Sequence, residues 1–422
     1  MLDSDGLQGP GPTGGATAAF QPGGFTVPWN EPSRTPLPRH LYVHVPLCRS
    51  KCAYCSFYSA ADSGAISHAE LVSGTLEALA GWLVPEVQRV PLQTLYVGGG
   101  TPTVLGQELV ALVRGLTELI PLAPGAEVTI EANPESLSPS LLRGLVDAGV
   151  TRVSIGVQSL DDDALRLLGR CHDSGEALAA IRTAVAAELD VSVDLIAGVP
   201  GVSADAWAGA LHAAVDSGAS HLSIYPLTIE AGTPMAEAVA EGRMPAPDED
   251  ATVDAMEAAA RILGERGLVR YEVANYARPG KESRHNTAYW TGWPYLGIGG
   301  GAQGMLSGDQ ARALGLVPAE ETDVARVRYG YADEPFPMRA ERPLATFETL
   351  TAAEALREDA MLGMRMTEGI ADELAVLAGV TAPLESLVRD GLVVHGRGRW
   401  RPTERGWLFG NEVFGRIWGA VE

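Results

Sequence analysis

Residues 41–57 read LYVHVPLCRSKCAYCSF and hold three of the four cysteines in the chain. Cys48, Cys52 and Cys55 have the spacing C-x3-C-x2-C, with polar residues between the first two. Buried cysteines that pack as small hydrophobes do not fit so polar a loop. Thiolates on one short loop can instead converge on a soft metal centre. We therefore predict a [4Fe-4S] cluster held by three thiolates, with one iron left open for a small molecule.

A structural zinc site is the alternative explanation of the three thiols. Such a site takes a fourth ligand, and the candidates are Cys171, the only other cysteine, and the neighbouring His172. Both lie far from the loop in sequence, so the cluster is the preferred interpretation. Cys171 would then not be a metal ligand.

The composition limits what the chain can do. It has 422 residues, 46% of them hydrophobic, which is enough for a sizeable core in two or three domains or in one large barrel with additions. Acidic residues number 53 and basic residues 31, and the net charge of −22 argues against a nucleic-acid partner and against docking on an anionic membrane. Four cysteines are too few for a disulfide scaffold. Because residues 1–20 do not resemble a signal peptide and no apolar stretch is long enough to span a membrane, we expect a cytoplasmic protein without stable membrane insertion.

Short apolar runs alternate with helical stretches between residues 40 and 225. The apolar runs predict strands at 40–45, 94–97, 127–130, 152–157, 191–196 and 221–225. Helical spacing predicts helices at 70–82, 109–119, 141–147, 174–187 and 205–216. Nearly continuous apolar strands alternating with helices imply a parallel sheet covered by helices. We predict an α/β fold, a partial (β/α)6 TIM-type barrel, in preference to an open doubly wound sheet. The reason is that nearly every strand ends in a polar or glycine-rich motif, and barrels gather their chemistry at that edge.

The motifs at these strand ends are candidates for a ligand site. The second strand runs into GGGTPT at 98–103, where bare backbone can approach a ligand, although the lysine of a phosphate loop is missing. Glu131, Gln158 and Asp194 stand near the ends of the third, fourth and fifth strands. Their recurrence at one structural level favours a shared site over three unrelated surface residues.

The C-terminal part has a different pattern. Helical spacing at 351–366, 370–378 and 382–390 precedes two strands at 392–395 and 399–401 around a Gly-Arg-Gly turn, and Thr403 can cap a last helix. This order predicts a winged-helix-like α+β domain. From residue 343 onward there are 12 acidic and 8 basic residues, so DNA binding is not expected, and the domain is expected to cover the barrel or dock a protein.

We therefore divide the chain into four parts. Residues 1–38, with seven glycines and seven prolines, are predicted to be a disordered arm. Residues 39–305 form the barrel and an extension, the charge-rich residues 306–348 form a connecting segment, and residues 349–422 form the winged-helix-like domain.

The motifs, in the order in which they occur along the chain, resemble those of the radical-SAM family. The resemblance is to the branch of oxygen-independent coproporphyrinogen III oxidase and the HemW haem chaperones. The resemblance runs from about residue 40 to the C-terminus and includes YVHVP at 42–46, GGGTP at 98–102, EANP at 131–134, GVQS at 156–159, GR at 169–170 and DLI at 194–196. It implies that Cys48, Cys52 and Cys55 hold a [4Fe-4S] cluster whose open iron is chelated by S-adenosylmethionine. The residues implied to contact S-adenosylmethionine are Tyr42, Tyr54, Gly99, Gly100, Thr101, Glu131, Gln158, Arg170 and Asp194.

Further positions bear on the branch of the family. Phe57 stands where the oxidase has a fourth cysteine, which is the chaperone-like pattern. His285, Asn286 and Tyr289 form a His-Asn-x-x-Tyr sequence that resembles the motif associated with haem binding in the chaperones. The resemblance implies that His285 can ligate haem iron, with Asn286 or Tyr289 orienting it or a propionate. Gln303 stands where many relatives have histidine, which removes one possible imidazole. Cys171, beside Arg170, is expected to be an ordinary thiol, with a haem thiolate as the alternative.

The leading hypothesis is a haem chaperone on a radical-SAM scaffold, which binds the cluster, S-adenosylmethionine and one haem and passes the haem to an acceptor protein. The alternative is an enzyme, oxygen-independent coproporphyrinogen III oxidase, which shares nearly every cofactor residue. A third hypothesis, a winged-helix regulator that uses the cluster as a sensor, predicts salt-dependent DNA binding. The sequence identifies neither the haem acceptor nor the oligomeric state.

Overall fold

The structure, a computed structural model, describes residues 37–83, 90–333 and 344–419. Residues 1–36, nearly all of the predicted arm, lie outside the described residues. The strands are β1 (His40–Val45), β2 (Leu47–Cys48), β3 (Ala60–Ala61), β4 (Leu92–Gly99), β5 (Leu122–Ala132), β6 (Arg152–Gln158), β7 (Asp190–Ala197), β8 (His221–Pro226), β9 (Val269–Arg270), β10 (Asn275–Ala277), β11 (Leu296–Ile298), β12 (Gln303–Ser307), β13 (Arg326–Tyr331), β14 (Leu344–Leu350), β15 (Ile370–Ala371), β16 (Val393–Gly396) and β17 (Arg399–Pro402). The helices are α1 (His68–Trp82), α2 (Gln107–Leu119), α3 (Pro139–Asp147), α4 (Asp162–Leu167), α5 (Ser174–Ala186), α6 (Ala204–Asp216), α7 (Pro234–Ala240), α8 (Glu249–Glu265), α9 (Arg284–Trp290), α10 (Gly308–Ala313), α11 (Ala352–Gly363), α12 (Asp372–Leu377), α13 (Thr381–Arg389), α14 (Glu404–Leu408) and α15 (Gly410–Trp418).

A nine-stranded sheet forms the centre of the molecule, in the order β11-β1-β4-β5-β6-β7-β8-β10-β9. The neighbouring strands from β11 to β8 pair in parallel, and β10 and β9 pair antiparallel at one edge. The six predicted strands are β1 and β4–β8, and they are almost entirely buried because helices cover the sheet. Side chains from β4 through β8 line one interior cavity, as expected for strands curved around a common axis. The predicted α/β partial barrel is confirmed.

Local hydrogen bonds determine where the first helix begins. The Ser67 hydroxyl accepts from the backbone N–H of Glu70, and the Glu70 carboxylate accepts from the backbone N–H of Ser67. This reciprocal capping satisfies N–H groups that have no partner within the helix. It places the start of α1 at His68, two residues before the predicted start.

A second sheet, with strand order β12-β13-β14, packs against the barrel. The Trp82 ring is fully buried, stacks on Tyr329 of β13 with a centroid distance of 4.8 Å, and donates from Nε1 to the Tyr331 hydroxyl at 2.7 Å. This sheet lies largely in the predicted connecting segment, where the sequence pattern did not indicate strands. In β13, Arg326 and Arg328 alternate with Val327 and Tyr329. Because of the two arginines, this charged segment was not predicted to be a strand.

The C-terminal part forms a three-stranded antiparallel sheet, in the order β15-β17-β16, with helices α11–α15. This is the predicted winged-helix-like arrangement. Thr403 accepts from the backbone N–H of Gly406, as predicted for a cap, but the last helix is interrupted at Phe409 and forms α14 and α15. The third strand, β15, is only two residues long and pairs with β17. It was not predicted, because its residues lie in a stretch with helical spacing.

Buried ion pairs join α11 to the sheet that packs on the barrel. Arg326 donates to the carboxylates of Glu358 and Asp359, with both N–O distances at 2.6 Å. Arg328 also donates to Glu358, at 2.8 Å. These contacts tie the C-terminal domain to the rest of the chain. Within the described residues, no helix is both long enough and apolar enough to cross a membrane.

Candidate functional site

The cysteine loop follows β1 and is covered on one side by the glycine turn. Cys48 is buried in β2, while Cys52 and Cys55 are half-buried on the loop. The backbone N–H of Gly100 donates to the carbonyl oxygen of Val45 at 2.8 Å. A Cβ on Gly100 would lie 2.5 Å from the Leu47 carbonyl oxygen and 3.0 Å from the Cys48 sulfur. Only glycine therefore lets this turn lie directly against the cysteine loop.

The other side of the loop is held by residues that follow β6 and α4. Arg170 donates from Nη1 to the Cys52 sulfur at 3.1 Å, and from Nη2 to the Asn133 side chain at 2.7 Å and to the Gly156 carbonyl oxygen at 2.6 Å. The backbone N–H of Ala53 donates to the Leu168 carbonyl oxygen at 3.1 Å. The glycine turn and the segment after α4 therefore hold the loop from two sides, and its thiols have defined positions.

The three thiols offer the kind of donor atoms that the predicted cluster requires. They come from one loop, and Arg170 Nε beside them is buried with no hydrogen-bond partner among the described residues. Burial raises the pKa of Cys48 and of Cys55, so these thiols keep their protons until a metal replaces them. Cys48, Cys52 and Cys55 would hold a [4Fe-4S] cluster.

The two residues considered as a fourth zinc ligand, His172 and Cys171, make other contacts. Both ring nitrogens of His172 are engaged, Nδ1 with the Glu135 carboxylate and Nε2 with the Val157 carbonyl oxygen, each at 3.1 Å. The Cys171 thiol is exposed and lies 3.0 Å from the Ser50 hydroxyl. Over the ranges that the structure describes, no three His, Cys, Asp or Glu side chains are grouped as ligands of a single metal ion.

Two adjoining cavities open from this region into the barrel. The larger, which we call the aromatic cavity, has a volume of about 410 Å³ and is lined by Tyr42, His44, Phe57, Tyr58, Tyr96, Glu131, Tyr225, His285, Asn286, Tyr289, Tyr295, Gly301 and Gln303. The smaller, the inner cavity, has a volume of about 50 Å³ and is lined by Tyr96, Glu131, Arg152, Ser154, Ser192, Asp194, His221, Ser223, Tyr225, Ser283 and Asn286. They share Tyr96, Glu131, Tyr225 and Asn286 in their walls, so the two cavities lie next to each other, the larger lined mainly by aromatic residues and the smaller mainly by polar residues.

Two buried carboxyl groups give this site its charge. Glu131 accepts from the Tyr96 hydroxyl at 2.7 Å and from the Gly99 backbone N–H at 2.9 Å. Burial, with a smaller contribution from the nearby Asp194, raises the pKa of Glu131 to about 7 in spite of these two hydrogen bonds. Burial also raises the pKa of Asp194, against hydrogen bonds from Ser223 and Ser154. Each group can accept hydrogen bonds from a cationic or hydroxyl-bearing ligand when it is ionised.

Of the other residues implied to contact S-adenosylmethionine, Tyr42 lines a cavity, whereas Tyr54, Thr101 and Gln158 are not among the residues that line either one. Tyr42 lies in the aromatic cavity, with its hydroxyl 2.9 Å from His44 Nδ1. The Tyr54 ring packs beside the cysteine loop against an apolar group that includes Leu168 and Met235. Gln158 has a φ of 68°, unusual for a residue with a side chain, and its Nε2 lies over Gly156. Thr101 is buried and accepts from Asn133 Nδ2 at 3.1 Å.

The His-Asn-x-x-Tyr motif lies on α9, against the barrel interior. His285 is 1% exposed, its Nδ1 is 2.6 Å from the Thr94 hydroxyl, and its Nε2 is 2.8 Å from the Tyr289 hydroxyl. Burial lowers the pKa of His285 well below its usual value, so the ring stays neutral. The structure thus brings all three motif residues, including Asn286, to the aromatic cavity, with both nitrogens of the histidine already engaged.

Several cavity residues were missing from the sequence predictions. Tyr96, Tyr225 and Tyr295 line the aromatic cavity, and so does His44, which stacks on Tyr58 with a centroid distance of 6.3 Å. Each lies in or beside a strand, where an aromatic residue is common for packing alone. The sequence shows that aromatic residues recur near the strand ends, but it does not show which of them face one another in the folded protein.

Comparison with known proteins gives a consistent result. Residues 42–214 match the Radical SAM superfamily, and residues 350–409 match the HemN C-terminal domain. The heme chaperone HemW of Mycobacterium tuberculosis is 36% identical over 401 residues, which cover 93% of this chain and 99% of that protein. The heme chaperone HemW of Bacillus subtilis is 29% identical over 393 residues, covering 90% of this chain and 99% of that protein.

A solved structure supports the fold. The coproporphyrinogen III oxidase HemN of Escherichia coli, described as a radical SAM enzyme, superposes with a TM-score of 0.75 and covers 92% of each chain. Its sequence identity of 19% is low, so this likeness shows a shared architecture. It does not distinguish between the activities that the architecture supports.

Proposed function

The chain belongs to the HemW family of radical SAM proteins, and we propose that it is a haem chaperone that binds a [4Fe-4S] cluster, S-adenosylmethionine and one haem. It would pass the haem to a haem-requiring protein in the cytoplasm. The observation that carries the proposal is the aromatic cavity beside the cysteine loop. A flat apolar macrocycle suits a cavity lined by aromatic rings, which offer large contact areas and defined stacking geometry.

Phe57 links the cavity to the cysteine loop and favours the chaperone over the oxidase. It occupies the position of the fourth cysteine of the oxidase and lines the aromatic cavity, yet its side chain is 71% exposed. An apolar ring that is left so exposed gains contact area when a hydrophobic ligand enters. The residue that marks the branch in the sequence therefore also lies where a macrocycle would bind.

The residues around the cysteine loop are proposed to hold the cofactors. Cys48, Cys52 and Cys55 would ligate the cluster. When bound, the cluster and S-adenosylmethionine supply redox chemistry that no side chain provides. The residues proposed to contact S-adenosylmethionine divide by their chemistry. Gly99 and Gly100 let backbone approach it, Arg170 can meet its carboxylate, and Glu131 and Asp194 can accept from its amino or ribose groups; Tyr42, Tyr54, Thr101 and Gln158 complete the surroundings.

Binding of S-adenosylmethionine is expected to strengthen as the pH rises through about 7. Below that pH Glu131, whose pKa is about 7, is protonated and loses much of its ability to accept a hydrogen bond from a cationic ligand; above it, the carboxylate is charged. Between about pH 6 and about pH 8 the charged fraction of a single such group rises about tenfold, and the affinity should follow it. Equilibrium dialysis with anaerobically reconstituted protein measures the effect.

Glu131→Gln is the diagnostic variant for this pH dependence. It is expected to bind S-adenosylmethionine more weakly and to lose most of the rise with pH. Glu118→Gln, a substitution on the exposed part of α2, is the matched control and should behave as the parent protein does. An equal pH dependence in the parent and in Glu131→Gln would contradict the role given to Glu131.

Hemin titration tests the haem site directly. The parent protein should show a saturable shift of the Soret band, and Phe57→Asp should bind hemin about tenfold more weakly, because it removes part of the 1.5–3 kcal/mol that burial of a Phe side chain contributes. Phe409→Asp is the matched control, since Phe409 is 50% exposed on the C-terminal domain, outside the cavity.

The same preparation distinguishes the chaperone from the oxidase. Anaerobic incubation with coproporphyrinogen III, S-adenosylmethionine and a reductant should give no protoporphyrinogen. Formation of that product would replace the chaperone proposal with the oxidase alternative. Absence of saturable hemin binding, or equal weakening by Phe57→Asp and Phe409→Asp, would refute the assignment of the aromatic cavity.

A further inference from the structure

We infer that the phenol oxygen of Tyr289, and not the imidazole of His285, ligates the iron when a ferric haem enters the aromatic cavity. The inference rests on the proposed function, because it concerns the haem that the chaperone would carry. It assigns different tasks to the two residues of one motif. Tyr289 contacts the cargo, and His285 is a positioning residue that acts through Tyr289.

The surroundings of His285 leave no nitrogen free for iron. Nδ1 is paired with Thr94 and Nε2 with Tyr289, and the ring is 1% exposed. One face of the ring stacks on Tyr96, with a centroid distance of 5.1 Å and an interplanar angle of 26°. To ligate iron, the ring would have to break the Tyr289 hydrogen bond and leave its packed position. A buried polar ring with both partners in place resists such a movement.

Thr94 extends the support of His285 to a second histidine. The Thr94 hydroxyl is 2.9 Å from His40 Nδ1 as well as 2.6 Å from His285 Nδ1. Since a hydroxyl has one proton, it donates to one ring and accepts from the other. When His40 Nδ1–H donates to Thr94, Thr94 donates to His285 Nδ1 and His285 Nε2–H donates to the Tyr289 oxygen. In this arrangement the Tyr289 O–H points away from His285, and its proton can leave on the side of the cavity.

Tyr289 is placed to use its remaining lone pair toward the cavity. Its side chain is half-buried and lines the aromatic cavity, unlike the fully buried His285. Its ring meets Tyr295 edge to face, with a centroid distance of 4.4 Å, so its orientation is fixed from a second side. A tyrosine oxygen is an established type of axial haem ligand. The pair therefore presents an oxygen ligand that is held by a histidine.

The ligation step balances without any redox partner. Burial raises the pKa of Tyr289 well above its usual value, so the phenolic O–H bond breaks only as the iron(III)–oxygen bond forms, and the proton passes to solvent water at the open mouth of the cavity. No electron is transferred, because the iron enters and remains as iron(III). The charge of the phenolate partly neutralises the ferric porphyrin inside the barrel.

Two other tyrosines of the cavity are the competitors for this role. Tyr42 also pairs with a histidine, His44, but it lies on β1 beside the cysteine loop, where it is proposed to contact S-adenosylmethionine. Tyr295 packs against Tyr289 without a histidine partner among the described hydrogen bonds. Both residues can be changed to phenylalanine with little effect on ring packing, so Tyr42→Phe and Tyr295→Phe test the two competing ligands.

The test is the resonance Raman and EPR spectrum of the hemin complex of the full-length protein. The parent, Tyr42→Phe and Tyr295→Phe should show a high-spin ferric haem with an iron–phenolate stretching mode, and Tyr289→Phe should lose that mode. Cluster content after anaerobic reconstitution should be the same in Tyr289→Phe and the parent, which shows that the barrel is intact. Thr94→Val, which breaks the supporting chain, should shift the mode without abolishing it.

Three outcomes would overturn the inference. They are retention of the iron–phenolate mode in Tyr289→Phe, its loss in Tyr42→Phe or Tyr295→Phe instead, and a parent spectrum typical of imidazole ligation. In each of these outcomes hemin still binds, so the proposed function survives. Absence of saturable hemin binding by the parent would instead count against the proposed function itself.

Discussion

Cys52→Ser protein is expected to lose nearly all of its cluster. The Cys52 thiol is held by the loop and by Arg170, whose Nη1 lies 3.1 Å from the sulfur, and serine offers a far weaker ligand to iron at the same place. Only two thiolates would remain for a cluster that normally has four. Iron and acid-labile sulfide per chain, measured after anaerobic reconstitution, should fall from about four of each to well below one.

Cys171→Ser is the matched control for this experiment. Cys171 is the one cysteine outside the loop, and its thiol is exposed beside Ser50. We expect this variant to reconstitute with the iron and sulfide of the parent. A Cys52→Ser protein that keeps its full iron and sulfide, or a Cys171→Ser protein that loses them, would show that the assignment of the cluster ligands is wrong.

Arg326→Met is expected to lower the free energy of unfolding by about 3–5 kcal/mol, the usual cost of removing one partner from a buried ion pair. Arg326 is 8% exposed and donates to both Glu358 and Asp359. Burial already raises the pKa of Asp359 to about 6, even with Arg326 beside it. Without the guanidinium, Asp359 is left as an uncompensated buried carboxyl group. Urea unfolding followed by circular dichroism measures the loss.

Arg261→Met provides the comparison for an exposed pair. Arg261 bonds Glu265 within α8, and the two side chains are 63% and 62% exposed, so this pair should contribute no more than about 1 kcal/mol. A loss of stability in Arg261→Met as large as in Arg326→Met would mean that the cost does not arise from burial of the Asp359 and Glu358 carboxylates.

The strands that form the barrel were predictable because local sequence determines them. In β1 and β4–β8, Val, Ile and Leu recur in short runs, and most positions are buried, as expected for a sheet covered on both faces. The sheet of β12–β14 was not predicted, because its central strand, β13, carries two arginines that pair with carboxylates of the distant α11. Arg326 reads as a surface residue in the sequence, and it is buried only because α11 brings two carboxylates to it.

The candidate site was also predictable from the sequence only in part. The cysteine loop and the glycine turn were found because their chemistry lies within a few consecutive residues. The aromatic cavity was not found, since its walls come from β1, β4, β8, α9 and the segments around β11 and β12, which are far apart in sequence. An aromatic residue on one strand is indistinguishable from a packing residue until its neighbours are known.

The roles of His285 and Tyr289 show most clearly what each level of structure contributes. The order of residues alone identified the three cysteines as a ligand set and the His-Asn-x-x-Tyr sequence as a candidate haem motif, because both patterns are local. Only the tertiary structure showed that all three motif residues line the aromatic cavity, with His285 buried and Tyr289 half-buried. Thr94, from a strand about 190 residues earlier, occupies the second nitrogen of His285, and long-range pairing of this kind leaves no trace in the local sequence.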